Sequence, residues 1–130
     1  ASYTNNPKEP QKLIHKTIPG ILVRSKSEAL IINALFEHKI PFRYECLLQI
    51  QNVSVYPDFT IRHPVTGEVY YWEHFGMMDN EDYYNAVLRK LDAFEMNQLL
   101  IGRDVLLLHE SSSAPLNTRV LDCYIQEYLV

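Results

Sequence analysis

Residues 53–75 read VSVYPDFTIRHPVTGEVYYWEHF, two runs with strand signals on either side of a turn. The first run alternates with a period of two, which is typical of a strand that covers a core with one face and predicts a strand over 53–62. The second run, EVYYWEHF, predicts a strand over 68–75. The intervening residues 63–67 have turn chemistry. The two strands are therefore expected to pair as a hairpin.

Further strands and helices are indicated on both sides of this hairpin. The predicted elements are strands over 42–50 and 105–109 and helices over 25–38, 81–100 and 117–130. Either Asp79 or Asn80 can cap the second helix. The order α-β-β-β-α-β-α predicts an α/β fold with a central mixed sheet flanked by helices on both faces, because a meander is followed by a crossover helix and another strand.

Length and composition are those of one globular domain. The 130 residues are 47% hydrophobic and 22% charged, which excludes a disordered tail, a collagen-like fibre and a coiled coil. The longest apolar runs are too short to span a membrane, and no secretory signal is visible. Cys46 and Cys123 lack CxxC spacing, so a cytoplasmic, reducing compartment is expected. Residues 1–20 are predicted to be a polar, basic arm and residues 21–130 the domain.

Charge is distributed unevenly along the chain. The net charge is −4, yet residues 1–26 contain five lysines and arginines against a single acid, Glu9. A basic segment ahead of an acidic body points weakly to a polyanionic partner. A solvated arm would give the same count, so charge alone does not decide the question.

Two acidic residues occupy predicted strands, where a charge is costly. Asp58 is placed within the strand over 53–62, and Glu73 shares a strand face with Tyr71 and Phe75. Acids are depleted in strands, and a buried charge needs a partner or a metal. Each acid alone could pair with an arginine or lie on an edge strand. Pairing of the hairpin, however, brings the two carboxylates side by side, an arrangement that favours a divalent cation.

Two helical residues add a third acid and a cation. Glu28 projects from the apolar face of the first helix, yet it is also the N3 residue of a capping box that begins at Ser25, and both roles stay open. On the second helix, Lys90 lies in or beside the apolar stripe that includes Val87 and Phe94. Its ammonium group either extends to the rim or meets the carboxylates, and the inward acids favour the second outcome.

This ordered set of residues resembles the PD-(D/E)XK nuclease superfamily, which has the restriction-endonuclease-like fold. Pro57-Asp58 matches the PD pair, Glu73 the second acid on the following strand, and Glu28 the glutamate of the first helix. The wider set is Arg24-Ser-Lys-Ser-Glu28, Tyr56-Pro-Asp-Phe59, Tyr71-Trp-Glu-His-Phe-Gly76, Tyr83 and Lys90. It is similar to a group of uncharacterised bacterial proteins and to nuclease domains attached to DNA helicases. The resemblance covers about residues 21–130.

The resemblance implies a Mg²⁺- or Mn²⁺-dependent deoxyribonuclease that hydrolyses phosphodiester bonds of DNA. Asp58, Glu73 and the backbone carbonyl of His74 would bind the cation, since carboxylate and carbonyl oxygens are the ligands that hard cations prefer. Glu28 would hold metal-bound water or a second ion.

One position departs from the superfamily pattern. Its lysine normally stands two residues after the second acid, where this chain has Phe75. Lys90 is expected to replace that lysine, with Lys26 as the second candidate. Arg24 and Lys26 could also contact phosphates, although solvated surface charge explains each of them equally well.

Three functions therefore compete. The first is an active nuclease domain that forms the C-terminal part of a longer protein, whose other domains supply targeting. The second is an inactive nuclease-fold module for DNA binding or assembly, which Phe75 and the net negative charge motivate. The third, an enzyme on another α/β scaffold, is disfavoured by the ordered set of acids. The sequence leaves open whether two copies pair as a homodimer.

Overall fold

The computed structural model describes residues 3–51, 53–76, 80–111 and 113–130. The chain divides into two compact units. Unit 1 comprises Ala1–Asn6, Arg43–Ile61 and Val69–Pro115. Unit 2 comprises Pro7–Phe42, Arg62–Glu68 and Leu116–Val130.

The described residues form an α/β structure, as the sequence predicts. Over these ranges the α-helices are α1 (Lys26–Glu37), α2 (Glu81–Met96) and α3 (Thr118–Leu129). The strands are β1 (Phe42–Tyr44), β2 (Leu48–Ile50), β3 (Val53–Val55), β4 (Phe59–Arg62), β5 (Val69–Phe75) and β6 (Val105–His109). Within the described ranges, no helix has the length and apolar character that a bilayer crossing requires.

The main sheet has four strands in the order β1-β4-β5-β6. A turn over 63–68 joins β4 to β5, and the N–H of His63 donates to the carbonyl of Glu68 at 2.8 Å. Neighbouring strands with so short a connection are antiparallel. In contrast, β5 and β6 are parallel, with Tyr71 opposite Val105, and α2 lies in the connection between them. The prediction of a hairpin followed by a crossover helix in a mixed sheet is therefore confirmed.

The prediction of one continuous strand over 42–50 is wrong. The strand is interrupted after β1 because Glu45 has a φ of 47°, in the left-handed region that a regular strand does not contain. The second half of the segment becomes β2, which pairs with β3 as a separate two-stranded antiparallel sheet. Gln51, with a φ of 50°, stands in the connection between these two strands.

The predicted strand over 53–62 is also divided. Pro57 has no N–H to donate to a strand ladder, and regular pairing resumes only at Phe59, the first residue of β4. Asp58 therefore lies immediately before β4 and not in the middle of a strand. This correction matters for the site, because the backbone N–H of Asp58 is available to a side chain.

In unit 1, α2 packs on the sheet through its apolar stripe. The rings of Tyr71 on β5 and Phe94 on α2 stack with their centroids 6.2 Å apart. Val87 and Phe94 are buried, as expected for residues seven apart on one helix face. The face of β5 that carries Tyr71 thus faces α2, and the residue two positions further along that face is Glu73.

Asn80 caps the N-terminus of α2. Its side-chain oxygen accepts a hydrogen bond from the N–H of Tyr83 at 2.9 Å. This is the expected geometry for an N-cap residue, whose side chain satisfies a backbone donor in the first turn. Asp79, the other cap that the sequence allows, lies outside the described residues.

Unit 2 contains α1 and α3, which pack against each other. Their facing side chains are fully buried: Ile31, Ile32 and Leu35 from α1, and Leu121, Ile125 and Leu129 from α3. The burial of these aliphatic side chains stabilises the helix pair, at about 25 cal/mol for each Å² of apolar surface. Coverage of the second sheet face by helices stays a prediction.

Candidate active site

Two hydrogen bonds link the residue before β4, Asp58, to Glu73 and His74 on β5. The N–H of Asp58 donates to Oε2 of Glu73 at 2.7 Å. The N–H of His74 donates to Oδ2 of Asp58 at 2.8 Å. The carboxylate of Glu73 thus binds the backbone of the other acid, and the carboxylate of Asp58 binds the backbone of the residue after Glu73. These two bonds hold the carboxylates side by side and leave one oxygen of each, Oδ1 and Oε1, for a third group.

That third group is the ammonium of Lys90 on α2. Its Nζ lies 2.5 Å from Oε1 of Glu73 and 3.6 Å from Oδ1 of Asp58. The side chain of Glu73 is 1% exposed and that of Lys90 27% exposed, so the contact is shielded from water. The sequence allowed this ammonium group either to extend to the rim or to meet the carboxylates, and in the structure it contacts the carboxylates.

The electrostatics of the three groups follow from their burial. Burial and the neighbouring Asp58 carboxylate raise the pKa of Glu73 to about 8, although Lys90 opposes this shift. For Lys90, burial by itself lowers the pKa, but the two carboxylates outweigh it and the net shift is upward. Lys90 therefore stays protonated at neutral pH, and Glu73 keeps its proton to a higher pH than an ordinary glutamate does.

Tyr83 reaches the same end of β5 from the first turn of α2. Its hydroxyl accepts a hydrogen bond from the N–H of Gly76 at 3.2 Å and donates one to the carbonyl of His74 at 3.4 Å. Burial raises the pKa of this phenol, so the hydroxyl stays protonated and can donate. Tyr83 and Lys90 are seven residues apart, which places both on the sheet-facing side of the helix.

The imidazole of His74 contacts a carboxylate that the sequence pattern does not mark. Its Nε2 lies 3.1 Å from Oε1 of Glu110, the residue directly after β6. Burial lowers the pKa of His74, although Glu110 opposes the shift, so the ring is neutral at pH 7. A Cβ atom at Gly76 would lie 3.0 Å from Cε1 of His74, so the glycine makes room for the ring.

The other predicted residues belong to unit 2. Glu28 is buried, and its Oε1 accepts a hydrogen bond at 3.1 Å from the N–H of Arg24, the residue before the N-cap Ser25. The guanidinium of Arg24 donates to the carbonyls of Glu9 and Lys8 at 3.0 and 2.6 Å. Lys26, the first residue of α1, is exposed. Roles for Glu28, Arg24 and Lys26 in a site stay predictions.

The oxygen atoms in unit 1 fit a hard divalent cation. Oδ1 of Asp58 and Oε1 of Glu73 converge on one cation, the ammonium of Lys90, and the carbonyl of His74 belongs to the same end of β5. Among the described residues, no group of three or more His, Cys, Asp and Glu side chains is arranged to bind a metal. A Mg²⁺ ion would therefore rely on two carboxylates, a carbonyl and water, a donor set that Mg²⁺ accepts.

Comparisons with protein-family models, with curated proteins and with solved structures find no match for this chain. The resemblance to the PD-(D/E)XK superfamily accordingly rests on the residues of the chain and on their arrangement.

Proposed function

We propose that this chain is a metal-dependent nuclease domain that hydrolyses phosphodiester bonds of DNA. The observation that carries the proposal is the convergence of Asp58, Glu73 and Lys90, two carboxylates locked side by side with an ammonium group on their free oxygens. A hairpin with Asp58 before one strand and Glu73 on the next, followed by a crossover helix, is also the arrangement that a restriction-endonuclease-like core requires.

Each residue has a distinct proposed role. Asp58 and Glu73 would hold Mg²⁺ or Mn²⁺ through carboxylate oxygens, and the His74 carbonyl would supply a further oxygen. The bound cation would polarise a phosphoryl oxygen and lower the pKa of a water ligand. Lys90 would contribute a positive charge next to the phosphate in the transition state. By resemblance to the superfamily, the products are a 5′-phosphate and a 3′-hydroxyl.

A DNA-binding or assembly module without turnover is the second candidate. Phe75 stands where the superfamily lysine is expected and is 4% exposed, so that position is apolar and buried. In this case the acids and Lys90 would act as a structural ion-pair network. Buried networks of this kind also shift pKa values, so the shifts at Glu73 and Lys90 do not separate the two functions.

Cleavage assays distinguish the candidates. Plasmid and branched DNA are incubated with Mg²⁺ or Mn²⁺ and with wild type, Asp58→Asn, Lys90→Ala or the control Arg89→Ala, which changes an exposed residue of α2. We expect wild type and the control to cleave, and the two site variants to lose activity by at least about 100-fold.

Two results would contradict the proposed nuclease activity. If wild type cleaves no substrate with either metal, the module is favoured. If Asp58→Asn cleaves as fast as the control, hydrolysis takes place at another site. Pairing of two copies, and targeting by further domains of a longer chain, are separate proposals that a cleavage assay with the isolated chain does not address.

A further inference from the structure

All three oxygens proposed as cation ligands already bind side chains of one helix. Oδ1 of Asp58 and Oε1 of Glu73 contact the ammonium of Lys90, and the carbonyl of His74 accepts the hydroxyl proton of Tyr83. Tyr83 and Lys90 are separated by two helical turns of α2, about 10.5 Å along its axis. A single rigid element therefore contacts the whole donor set.

The other carboxylate oxygens are engaged elsewhere. Oδ2 of Asp58 accepts from the N–H of His74, and Oε2 of Glu73 accepts from the N–H of Asp58. Rotating either carboxylate to offer its second oxygen would break one of these bonds and leave a part-buried N–H without its acceptor, which is unfavourable. The oxygens that bind no main-chain donor are therefore Oδ1 and Oε1, the same two that contact α2.

Charge makes the two occupants mutually exclusive. A divalent ion binds carboxylate oxygen at about 2.0–2.6 Å, and the Lys90 nitrogen is already 2.5 Å from Oε1. Both cations at this oxygen would lie within a few Å of each other in a site shielded from water, where repulsion between charges is much stronger than in bulk solvent. Binding of one cation thus favours departure of the other.

We infer that Lys90 and Tyr83 are internal occupants of the cation site, and that a divalent cation binds Asp58, Glu73 and the His74 carbonyl only by displacing these two side chains of α2. The inference rests on the proposed function and adds a regulatory contact to it. Displacement also gives the Lys90 ammonium a new position, in which it can contact a substrate phosphate.

Calorimetric titration with Mn²⁺ tests the exchange. Wild type is compared with Lys90→Met, Tyr83→Phe and the control Arg89→Met on the exposed side of α2. Lys90→Met is expected to bind Mn²⁺ at least about tenfold more tightly, and Tyr83→Phe about threefold more tightly, because each substitution removes an occupant of a ligand oxygen. Tyr83→Phe changes no charge, so its effect separates occupation of the oxygen from simple repulsion.

A second readout uses wild-type protein alone and does not depend on whether a variant folds. An amine-reactive reagent is applied with and without Mn²⁺, and modification of Lys90 is followed by peptide mass spectrometry. We expect saturating Mn²⁺ to accelerate modification of Lys90 several-fold, while the exposed Lys39 serves as the internal reference.

Failure of the exchange and failure of the proposed metal site give different results. If wild type binds Mn²⁺ but the Lys90→Met and Tyr83→Phe affinities match it and Lys90 reactivity is unchanged, the exchange is refuted and the metal site survives. If neither wild type nor any variant binds Mn²⁺, the exchange and the proposed metal site are both refuted.

Discussion

At the scale of single residues, the acids are held by main-chain donors and not only by the lysine. Asp58 accepts from the N–H of His74, and Glu73 accepts from the N–H of Asp58. Removal of either carboxylate therefore removes a hydrogen-bond acceptor as well as a charge. Stability and metal binding are expected to respond differently to substitutions that keep or delete that acceptor.

Asp58→Ala and Asp58→Asn should separate these two effects. Asparagine keeps an oxygen that can accept from the His74 N–H, whereas alanine leaves this donor unpaired. We expect Asp58→Ala to lower the free energy of unfolding by about 1–3 kcal/mol more than Asp58→Asn does, while both abolish Mn²⁺ binding. Urea unfolding and calorimetry provide the measurements. Equal stability of the two variants would mean that the bond to His74 contributes nothing.

The raised pKa of Glu73 predicts how stability depends on pH. The folded carboxyl titrates near pH 8 and the unfolded one near its ordinary value of 4.5. Between these values the folded state binds more protons than the unfolded state, so this group's contribution to stability decreases as pH rises. Glu73→Gln removes the titration, and its stability relative to wild type should therefore increase from pH 5 to pH 8.

Urea unfolding of both proteins across this range checks the prediction. Glu95→Gln, at an exposed position of α2, is the matched control and should follow wild type. A stability difference between wild type and Glu73→Gln that stays constant from pH 5 to pH 8 would show that Glu73 is ionised throughout.

At the scale of elements, the site depends on how α2 is anchored against the end of β5. The side chain of Asn80 caps the helix, and the hydroxyl of Tyr83 bonds the strand at His74 and Gly76. The helix start is therefore fixed at two points close to the acids. A change at the cap should affect both the stability of the helix and the position of Lys90.

Asn80→Ala should lower the free energy of unfolding by about 1 kcal/mol, because the N–H of Tyr83 loses its acceptor. Asn85→Ala makes the same substitution at an exposed position inside α2 and should be neutral or slightly stabilising. Thermal or urea unfolding of the two variants gives the comparison. A destabilisation by Asn85→Ala as large as that by Asn80→Ala would argue against the cap.

The strands also show which structural features a local sequence pattern predicts and which it does not. The local pattern of strand-forming residues on either side of a turn predicts β5 and the hairpin well, although residues 72–75 of β5 are all buried. It does not record the left-handed backbone at Glu45, which divides the first predicted strand. The contact of His74 with Glu110 was missed because it depends on the parallel register of β5 and β6, and no local pattern encodes that register.

At the scale of the whole molecule, charge works against the binding of DNA. The net charge is −4, and the candidate site combines two carboxylates with one ammonium group. A phosphate backbone approaching such a site is repelled unless a divalent cation is present. If the proposed function holds, affinity for DNA would have to come from basic residues elsewhere, and residues 1–26 contain five lysines and arginines.

The salt dependence of DNA binding tests the contribution of this segment. Lys8 and Lys16 have exposed side chains and are chosen for substitution. If both lysines contact phosphates, Lys8→Gln/Lys16→Gln should reduce the slope of log affinity against log salt by about 2. Fluorescence anisotropy at several NaCl concentrations measures this slope. Lys39→Gln is the control, and an unchanged slope in the double variant would exclude the segment from the interface.

The two main-chain hydrogen bonds to the acids also make the backbone a spectroscopic probe of the site. The amide protons of Asp58 and His74 point at carboxylate oxygens, so their ¹H and ¹⁵N chemical shifts depend on whether those carboxyls carry a proton or a metal. Two backbone resonances would therefore report, during a single titration, whether a metal is bound at each carboxyl and whether that carboxyl is ionised. No label on a side chain is needed.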